Sequence, residues 1–153
     1  IGFRIPEKER MLRLWQGDWS EVEACNAAQE KRRRNTAELL NLLEKAAQIV
    51  VVCAGEWGRS LLKLYGKLGA ENICAVCDNA SAIQGRSVEG LEVVSVERAV
   101  REHPDAWFVI AGKYHGEELL EQLRSLGIDA ARIYRCREEA YTGDNLLKFL
   151  LAR

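Results

Sequence analysis

Residues 50–60, VVVCAGEWGRS, contain the pattern that decides the fold. A continuously apolar run, typical of a strand buried on both faces, leads into a turn with glycine, and a helical pattern follows at once. Such a turn leaves backbone N–H groups free beside the positive end of the helix, where a phosphate group can bind. Gly55 would let the backbone approach a diphosphate, and Gly58 would let the helix pack close to the strand. The stretch therefore predicts a strand–turn–helix unit with a phosphate site, to which Arg59 could add a cation.

The complete dinucleotide-binding fingerprint is G-x-G-x-x-G, and Cys53 stands at the position of its first glycine. That glycine normally serves the tight turn, so its replacement weakens the dinucleotide prediction but keeps the phosphate geometry. Asp78 ends the next predicted strand about twenty residues after Gly55, near the spacing of a carboxylate that binds a ribose diol. The alternative is that the two glycines serve only helix–sheet packing and that Asp78 only caps the next turn.

Strands and helices alternate over the rest of the chain. The predicted strands are residues 48–54, 72–77, 91–94, 107–111 and 132–136. The predicted helices between them are residues 55–69, 95–102 and 116–126, with a turn-rich loop at residues 85–90. Strands separated by helices indicate βαβ units and a parallel sheet. We therefore predict an α/β fold, a three-layer Rossmann-like parallel sheet with an N-terminal helical arm.

The arm contains a short predicted helix at residues 7–16 and a long one. A capping box at residues 20–23 begins the long helix, which we expect to run to about Ala47. Polar residues interrupt its apolar stripe, so we expect it to pack more readily at its two ends than in its middle. The middle contains the basic run of residues 31–34, which is either a phosphate or nucleic-acid patch or a solvated helix face; the balanced charge of the chain favours the solvated face.

The chain ends in an apolar stretch at residues 144–153, DNLLKFLLAR, which predicts a short helix that needs cover. It could pack back on the domain, form a homodimer contact, or lead into a neighbouring domain. The predicted division of the chain is an N-terminal arm at 1–47, a nucleotide-binding-type domain at 48–136 and a helical tail at 137–153. Because the sequence begins without Met, we expect it to be a segment of a longer protein.

The 153 residues are 48% hydrophobic and 29% charged, with a net charge of −1, which is typical of one soluble globular domain. Balanced charge argues against a general nucleic-acid or anionic-membrane surface, and no apolar run is long enough to span a membrane. The five cysteines are an odd number scattered through apolar runs, which indicates reduced thiols and a cytoplasmic location. Cys74 and Cys77 form a lone C-x-x-C in a predicted strand, where we expect them to face opposite sides, so we predict no metal site.

Lys113, Tyr114 and His115 follow the strand at 107–111, at the carboxyl edge of the predicted sheet, where open α/β sheets bind ligands. They could contact a phosphate or a sugar, or supply a general acid or base. The alternative is an ordinary βα loop. The sequence contains no Tyr-x-x-x-Lys pair, Gly-x-Ser-x-Gly elbow, His-Glu-x-x-His or Walker motif, and a methyltransferase needs a glycine-richer first loop. The catalytic residues are therefore unknown.

Residues 48–136 resemble the small Rossmann-like domains of bacterial surface-polysaccharide enzymes. Such domains occur in nucleotide-sugar dehydratases and sugar acetyltransferases and as accessory domains of some glycosyl- and methyltransferases. The similar segments are VVCAGEWGRSLLKLYGKLG, ICAVCDN, IQGRSVEGLEVVS, WFVIAG, ELLEQLRSLGI and ARIYRC. The resemblance implies a nucleotide, a nucleotide-sugar or an NAD-like ligand, or a degenerate site kept for architecture.

Three functions follow from these patterns. The first is a nucleotide or nucleotide-sugar binding module of a larger sugar or surface-glycan enzyme, a transferase among the possibilities. The second is a fragment of an NAD(P)-dependent oxidoreductase or epimerase, and the third is a structural or oligomerisation module with a vestigial site. The cofactor stays open between NAD(P) and a nucleotide-sugar. The candidate ligand-binding residues are Gly55, Glu56, Trp57, Gly58, Arg59, Asp78, Lys113, Tyr114 and His115.

Overall fold

The structure is a computed structural model that describes the backbone of residues 20–142 and the side chains of residues 26–142. The helix predicted at 7–16 and the tail at 144–153 lie outside the described residues. The described helices are α1 (Ser20–Lys45), α2 (Glu56–Lys67), α3 (Val96–Glu102) and α4 (Gly116–Ser125), with a 3₁₀ turn at Ala130–Arg132. The strands are β1 (Ile49–Val52), β2 (Ile73–Cys77), β3 (Ser87–Val88), β4 (Leu91–Val94), β5 (Trp107–Ile110) and β6 (Ile133–Arg135).

The six strands form one sheet in the order β3-β4-β2-β1-β5-β6. The pairs β1–β2, β1–β5, β2–β4 and β5–β6 are parallel. The short strand β3, which falls in the predicted turn-rich loop, pairs antiparallel with β4. Helices α1 and α2 cover one face and α3 and α4 the other. This arrangement confirms the predicted α/β class with three layers around a mostly parallel sheet.

The central strand β1 is buried on both faces, as its unbroken apolar run predicts. All four of its residues are 0% exposed, and they alternate between two core clusters. Val51 packs on the side of α1 and α2 with Leu39, Leu61 and Tyr65. On the other face the cluster contains Phe108 and Ile110 of β5 together with Leu119 and Leu123 of α4. These two clusters fix the carboxyl ends of β1 and β5 side by side.

The middle of α1 packs against the chain that follows β6, although the interrupted apolar stripe favours packing at the ends of this helix. The guanidinium of Arg32 donates to the carbonyls of Glu139 and Ala140 at 3.1 and 3.0 Å, and it lies 4.3 Å from the ring centroid of Tyr141. Thr36, which is 0% exposed, accepts a hydrogen bond from the Tyr141 amide at 3.1 Å. The polar residues that interrupt the apolar stripe therefore satisfy the backbone of a neighbouring segment, a contact that helical periodicity cannot predict.

The two cysteines of the C-x-x-C do not face opposite sides of the sheet as expected. The register shifts between the pairs Ile49–Ile73 and Val50–Ala75, so Cys74 is one extra residue in β2. Such a bulge turns the following side chains over, and both Cys74 and Cys77 contact the core cluster on the side of α3 and α4. The four cysteines of residues 26–142, which are Cys53, Cys74, Cys77 and Cys136, are all free thiols.

Of the helices in residues 20–142, none combines the length and apolarity that crossing a membrane requires.

Candidate functional site

The topology opens a crevice at the carboxyl ends of β1 and β5. From β1 the chain crosses through α2 to β2 on one side, and later through α3 to β5 on the other side of β1. Ligands of open α/β sheets bind at such a switch point, because the connections diverge there and leave a gap. A recess of about 450 Å³ lies at this edge. It is lined by Cys53, Gly55, Asp78, Asn79, Lys113, Tyr114, His115, Glu118, Leu119 and Gln122.

The two glycines of the turn have different roles. A Cβ atom at Gly58 would overlap the carbonyl oxygen of Cys53 and lie 2.9 Å from its carbonyl carbon, so only glycine lets α2 start this close to β1. Gly55 is the N-cap of α2, and a Cβ atom there would meet no atom within 4 Å. Its φ of −82° is open to every residue type, so neither packing nor backbone geometry requires glycine at position 55. Gly55 therefore presents bare backbone to the recess.

Cys53 adopts the backbone conformation that the missing first glycine would supply. Its φ is +86°, in the left-handed region that non-glycine residues rarely occupy. Its sulfur lies 2.8 Å from the point where a Cβ atom on Gly112 would stand, so the glycine after β5 makes room for the cysteine after β1. Burial, with a smaller effect of the Asp78 carboxylate, raises the pKa of the Cys53 thiol to about 12. The tight turn is kept, and the thiol at its bend stays protonated.

Asp78 links the end of β2 to the turn after β1. Its Oδ2 accepts a hydrogen bond from the Ala54 amide at 2.9 Å, and its Oδ1 accepts one from the Ala80 amide at 2.8 Å. The second contact is the turn cap of the alternative interpretation, and the first ties two loops of the recess together. Each carboxylate oxygen can accept a second bond, so a ligand hydroxyl can still bind there.

The loop after β5 brings Lys113, Tyr114 and His115 to the same recess. His115 is the N-cap of α4 in a left-handed conformation with φ of +61°, and its Nδ1 lies 3.1 Å from Oε2 of Glu118. Both partners are more than 70% exposed, so this pair adds little to stability. Tyr114 is 69% exposed, and the Lys113 ammonium lies 5.6 Å from its ring centroid. These side chains stand free to meet a ligand at the mouth.

Of the predicted site residues at the start of α2, Gly55 alone lines the recess. Glu56, Trp57, Gly58 and Arg59 are absent from the lining of the recess. Trp57 packs against the core cluster of α1 and α2, and the Arg59 Nε donates to the Ala54 carbonyl at 3.3 Å. The structure thus brings together five of the predicted site residues: Gly55, Asp78, Lys113, Tyr114 and His115.

Two amide side chains at the rim, those of Asn79 and Gln122, are not among the site residues predicted from the sequence. Asn79, which follows β2, and Gln122 of α4 exchange two hydrogen bonds of 2.8 and 3.0 Å, and Gln122 also donates to Glu97 at 3.1 Å. The pair joins the loop after β2 to α4 at the rim of the recess. His115, Leu119 and Gln122 share one helix face, and this spacing is the sequence signal that could have identified Gln122.

The recess offers the bare backbone of Gly55, two carboxylates, one ammonium, one phenol, one imidazole and two amides to a polar ligand. Within the residues that the structure describes, no group of three or more His, Cys, Asp or Glu side chains could hold a metal ion. These groups are suited to binding an anionic, hydroxyl-bearing molecule.

Comparison with known proteins gives one family and one fold. Residues 8–134 match the model of the C-methyltransferase C-terminal domain family. A Rex-family repressor, RSP, is similar at 17% identity with a TM-score of 0.51, over 78% of this chain and 62% of the repressor. UDP-D-quinovosamine 4-dehydrogenase from Vibrio fischeri is similar at 15% identity with a TM-score of 0.45, over 66% of this chain and 83% of the dehydrogenase. RSP in complex with β-NADH matches at 15% identity with a TM-score of 0.48, over 78% and 64% of the two chains.

At these identities the likeness to solved structures concerns the fold alone. The chain spans 62% of the length of the repressor that it matches with the higher score. No curated protein matches the sequence.

Proposed function

The chain belongs to the C-methyltransferase C-terminal domain family, and from this premise we propose that it is the nucleotide- or nucleotide-sugar-binding module of a larger C-methyltransferase that acts on a sugar of surface glycans. One observation carries the proposal. The recess at the switch point places the open backbone of Gly55 opposite Asp78 and Lys113 in a volume of about 450 Å³.

The phosphate and the ribose of a nucleotide each have a matching group at this recess. A phosphate can accept hydrogen bonds from the first N–H groups of α2, since the α2 N-cap makes no side-chain capping bond, and Lys113 supplies a nearby cation. A ribose diol can donate to the free lone pairs of Asp78. The volume lies within the range of roughly 300–1,000 Å³ that small-molecule sites occupy. The neutral charge of the chain fits a site in which backbone groups perform most of the phosphate recognition.

Calorimetric titration with a UDP-sugar, NADH and coenzyme A tests the proposal. We expect heat from at least one of the first two ligands. Gly55→Val places a branched side chain in the open space of the recess and should weaken that binding more than tenfold. Gly66→Val is the matched control, because a Cβ atom at Gly66 also meets nothing within 4 Å but lies near the far end of α2. Absence of heat with every ligand would contradict the proposal.

A second candidate function is an architectural module with a vestigial site. Asp78 already accepts two backbone hydrogen bonds, and Arg59 donates to the Ala54 carbonyl, so internal contacts account for both residues without a ligand. This function predicts no heat with any nucleotide and the same thermal midpoint in the presence and absence of each ligand. The oxidoreductase or epimerase interpretation would need catalytic groups from outside the described residues.

A further inference from the structure

A second, larger recess lies between α1, β6 and the residues after β6. Its volume is about 590 Å³, and it shares no lining residue with the switch-point recess. We propose that this α1–β6 groove binds a phosphate-bearing anion, with a di- or polyphosphate group as its chemical class. The groove is lined by Lys31, Arg34, Asn35, Glu38, Ile133, Tyr134, Arg135, Arg137 and Glu138.

Positive charge is concentrated in the α1–β6 groove. Four cations and two carboxylates line it, although the whole chain has a net charge of −1. The cations come from three places in the sequence, since α1 supplies Lys31 and Arg34, β6 supplies Arg135, and Arg137 follows it. The basic run of the sequence therefore meets further cations that only the folded chain brings close.

Three of these cations are available to a ligand. Among the described residues, Lys31, Arg34 and Arg137 have no ion-pair partner, whereas Arg135 pairs with Glu117 outside the lining. One of the two carboxylates is engaged, because the Tyr134 hydroxyl donates to Glu38. Glu138 is the remaining negative charge, and it should oppose an anion in the groove.

A buried amide fixes the position of these charges. Asn35 is 4% exposed, and its Nδ2 donates to the carbonyl of Glu138 at 2.8 Å while its Oδ1 accepts from the Arg137 amide at 3.2 Å. The backbone that presents Arg137 is therefore held against the helix that presents Arg34, which lowers the entropic cost of bringing the two guanidinium groups to one ligand.

The chemistry of the lining suits a phosphate-bearing anion. The planar guanidinium group binds phosphate oxygens with two parallel hydrogen bonds, and Lys31 adds a compact third charge. A concave volume of about 590 Å³ accommodates a diphosphate together with an attached group. The source could be a free polyphosphate or the diphosphate of a nucleotide-linked sugar, and both share this chemistry.

Calorimetry with inorganic pyrophosphate tests the proposal. Arg34→Gln and Arg137→Gln should each weaken binding roughly tenfold, since one hydrogen-bonded charge contact typically contributes enough for that factor. Glu138→Gln should tighten it severalfold. Arg33→Gln is the matched control, because it makes the same charge change on the same helix outside the lining and should leave affinity within twofold. Gly55→Val should also leave pyrophosphate binding unchanged, which separates this groove from the switch-point recess.

Further titrations identify the source of the phosphate. In the Gly55→Val variant, tighter binding of UDP than of pyrophosphate, with the same loss when Arg137→Gln is added, supports a nucleotide-linked diphosphate in this groove, and equal binding supports a free polyphosphate. Failure to bind pyrophosphate, an equal loss in Arg33→Gln and Arg137→Gln, or binding of only a single-stranded oligonucleotide or a polyglutamate peptide would overturn the proposal.

Discussion

The two recesses of this molecule are built from different parts of the chain. At the switch point, a glycine turn and strand ends supply backbone groups, and the parallel sheet itself creates the gap. In the α1–β6 groove, charged side chains from separate elements converge because a polar helix docks on the segment after β6. A local sequence motif is therefore enough to predict a site that depends on backbone groups at a turn. A site formed by charged side chains of separate elements depends instead on a packing contact between residues about a hundred positions apart.

The largest expected effect is a difference in stability between substitutions at the two glycines of the turn. Gly58→Ala forces a Cβ atom onto the carbonyl of Cys53, and the backbone there cannot rotate away, so we expect a loss of about 3 kcal/mol or more in the free energy of unfolding. Gly55→Ala, whose Cβ meets nothing, should change it by less than about 0.5 kcal/mol. Urea denaturation measures both. Equal losses would show that the turn is not packed as described.

Asp78 tests whether the recess is held by its own hydrogen bonds. Asp78→Asn sets an amide N–H against one of the two backbone N–H donors, and we expect a loss of about 2 kcal/mol in the free energy of unfolding. Asp129 is the control, because it caps the 3₁₀ turn through a single exposed bond from the Ala131 amide. Asp129→Asn should cost less than about 0.5 kcal/mol, since asparagine caps nearly as well. An Asp78→Asn variant with the same free energy of unfolding as the parent chain would show that these hydrogen bonds do not hold the recess.

Arg32 and Arg34 of α1 should differ in how much each contributes to stability. Arg32→Gln removes two hydrogen bonds to carbonyls and a contact with the Tyr141 ring, so we expect a loss of about 1.5 kcal/mol. Arg34→Gln should leave stability within about 0.5 kcal/mol, because Arg34 lines the groove without a partner among the described residues. Chemical denaturation of both variants measures these two changes in stability. A larger loss for Arg34→Gln would mean that its charge serves folding rather than binding.

The last effect is absent near neutral pH and is a decline of stability at alkaline pH. Burial raises the pKa of the thiols of Cys53 and Cys136 from the ordinary value of 9.0 to about 12. Between pH 9 and pH 12 the unfolded chain has lost protons that the folded chain keeps, so stability falls as pH rises, by up to about 1.4 kcal/mol per pH unit for each thiol. Below pH 8 these groups should have no effect.

The slope can be assigned by replacing one thiol. Cys136→Ala should reduce the decline above pH 9 while leaving the stability profile below pH 8 parallel to that of the parent chain. An unchanged alkaline slope would contradict the assignment of this decline to buried thiols.

The sequence predicted the fold and half of the site because both depend on short-range patterns. Apolar runs identified β1 and β5, and the glycine turn with Asp78 identified one wall of the recess. The rest depends on the direction that single side chains take and on contacts across the fold. The side chain of Arg59 turned onto the Ala54 carbonyl instead of lining the recess, and the Asn79–Gln122 pair joins residues 43 positions apart. The packing of Arg32 against residues 139–141 could not be predicted from the sequence either, because a basic run on a helix is ordinarily solvated.

Backbone amide chemical shifts during a nucleotide titration report where the ligand binds. On addition of a UDP-sugar or NADH, we expect the largest shifts at Gly55, Glu56 and Trp57 at the start of α2, with smaller shifts at Asp78 and Lys113. Gly55→Val should abolish this pattern and Gly66→Val should preserve it. Saturable binding whose shifts fall away from the carboxyl ends of β1 and β5, or no shifts with either ligand, would contradict the proposed function.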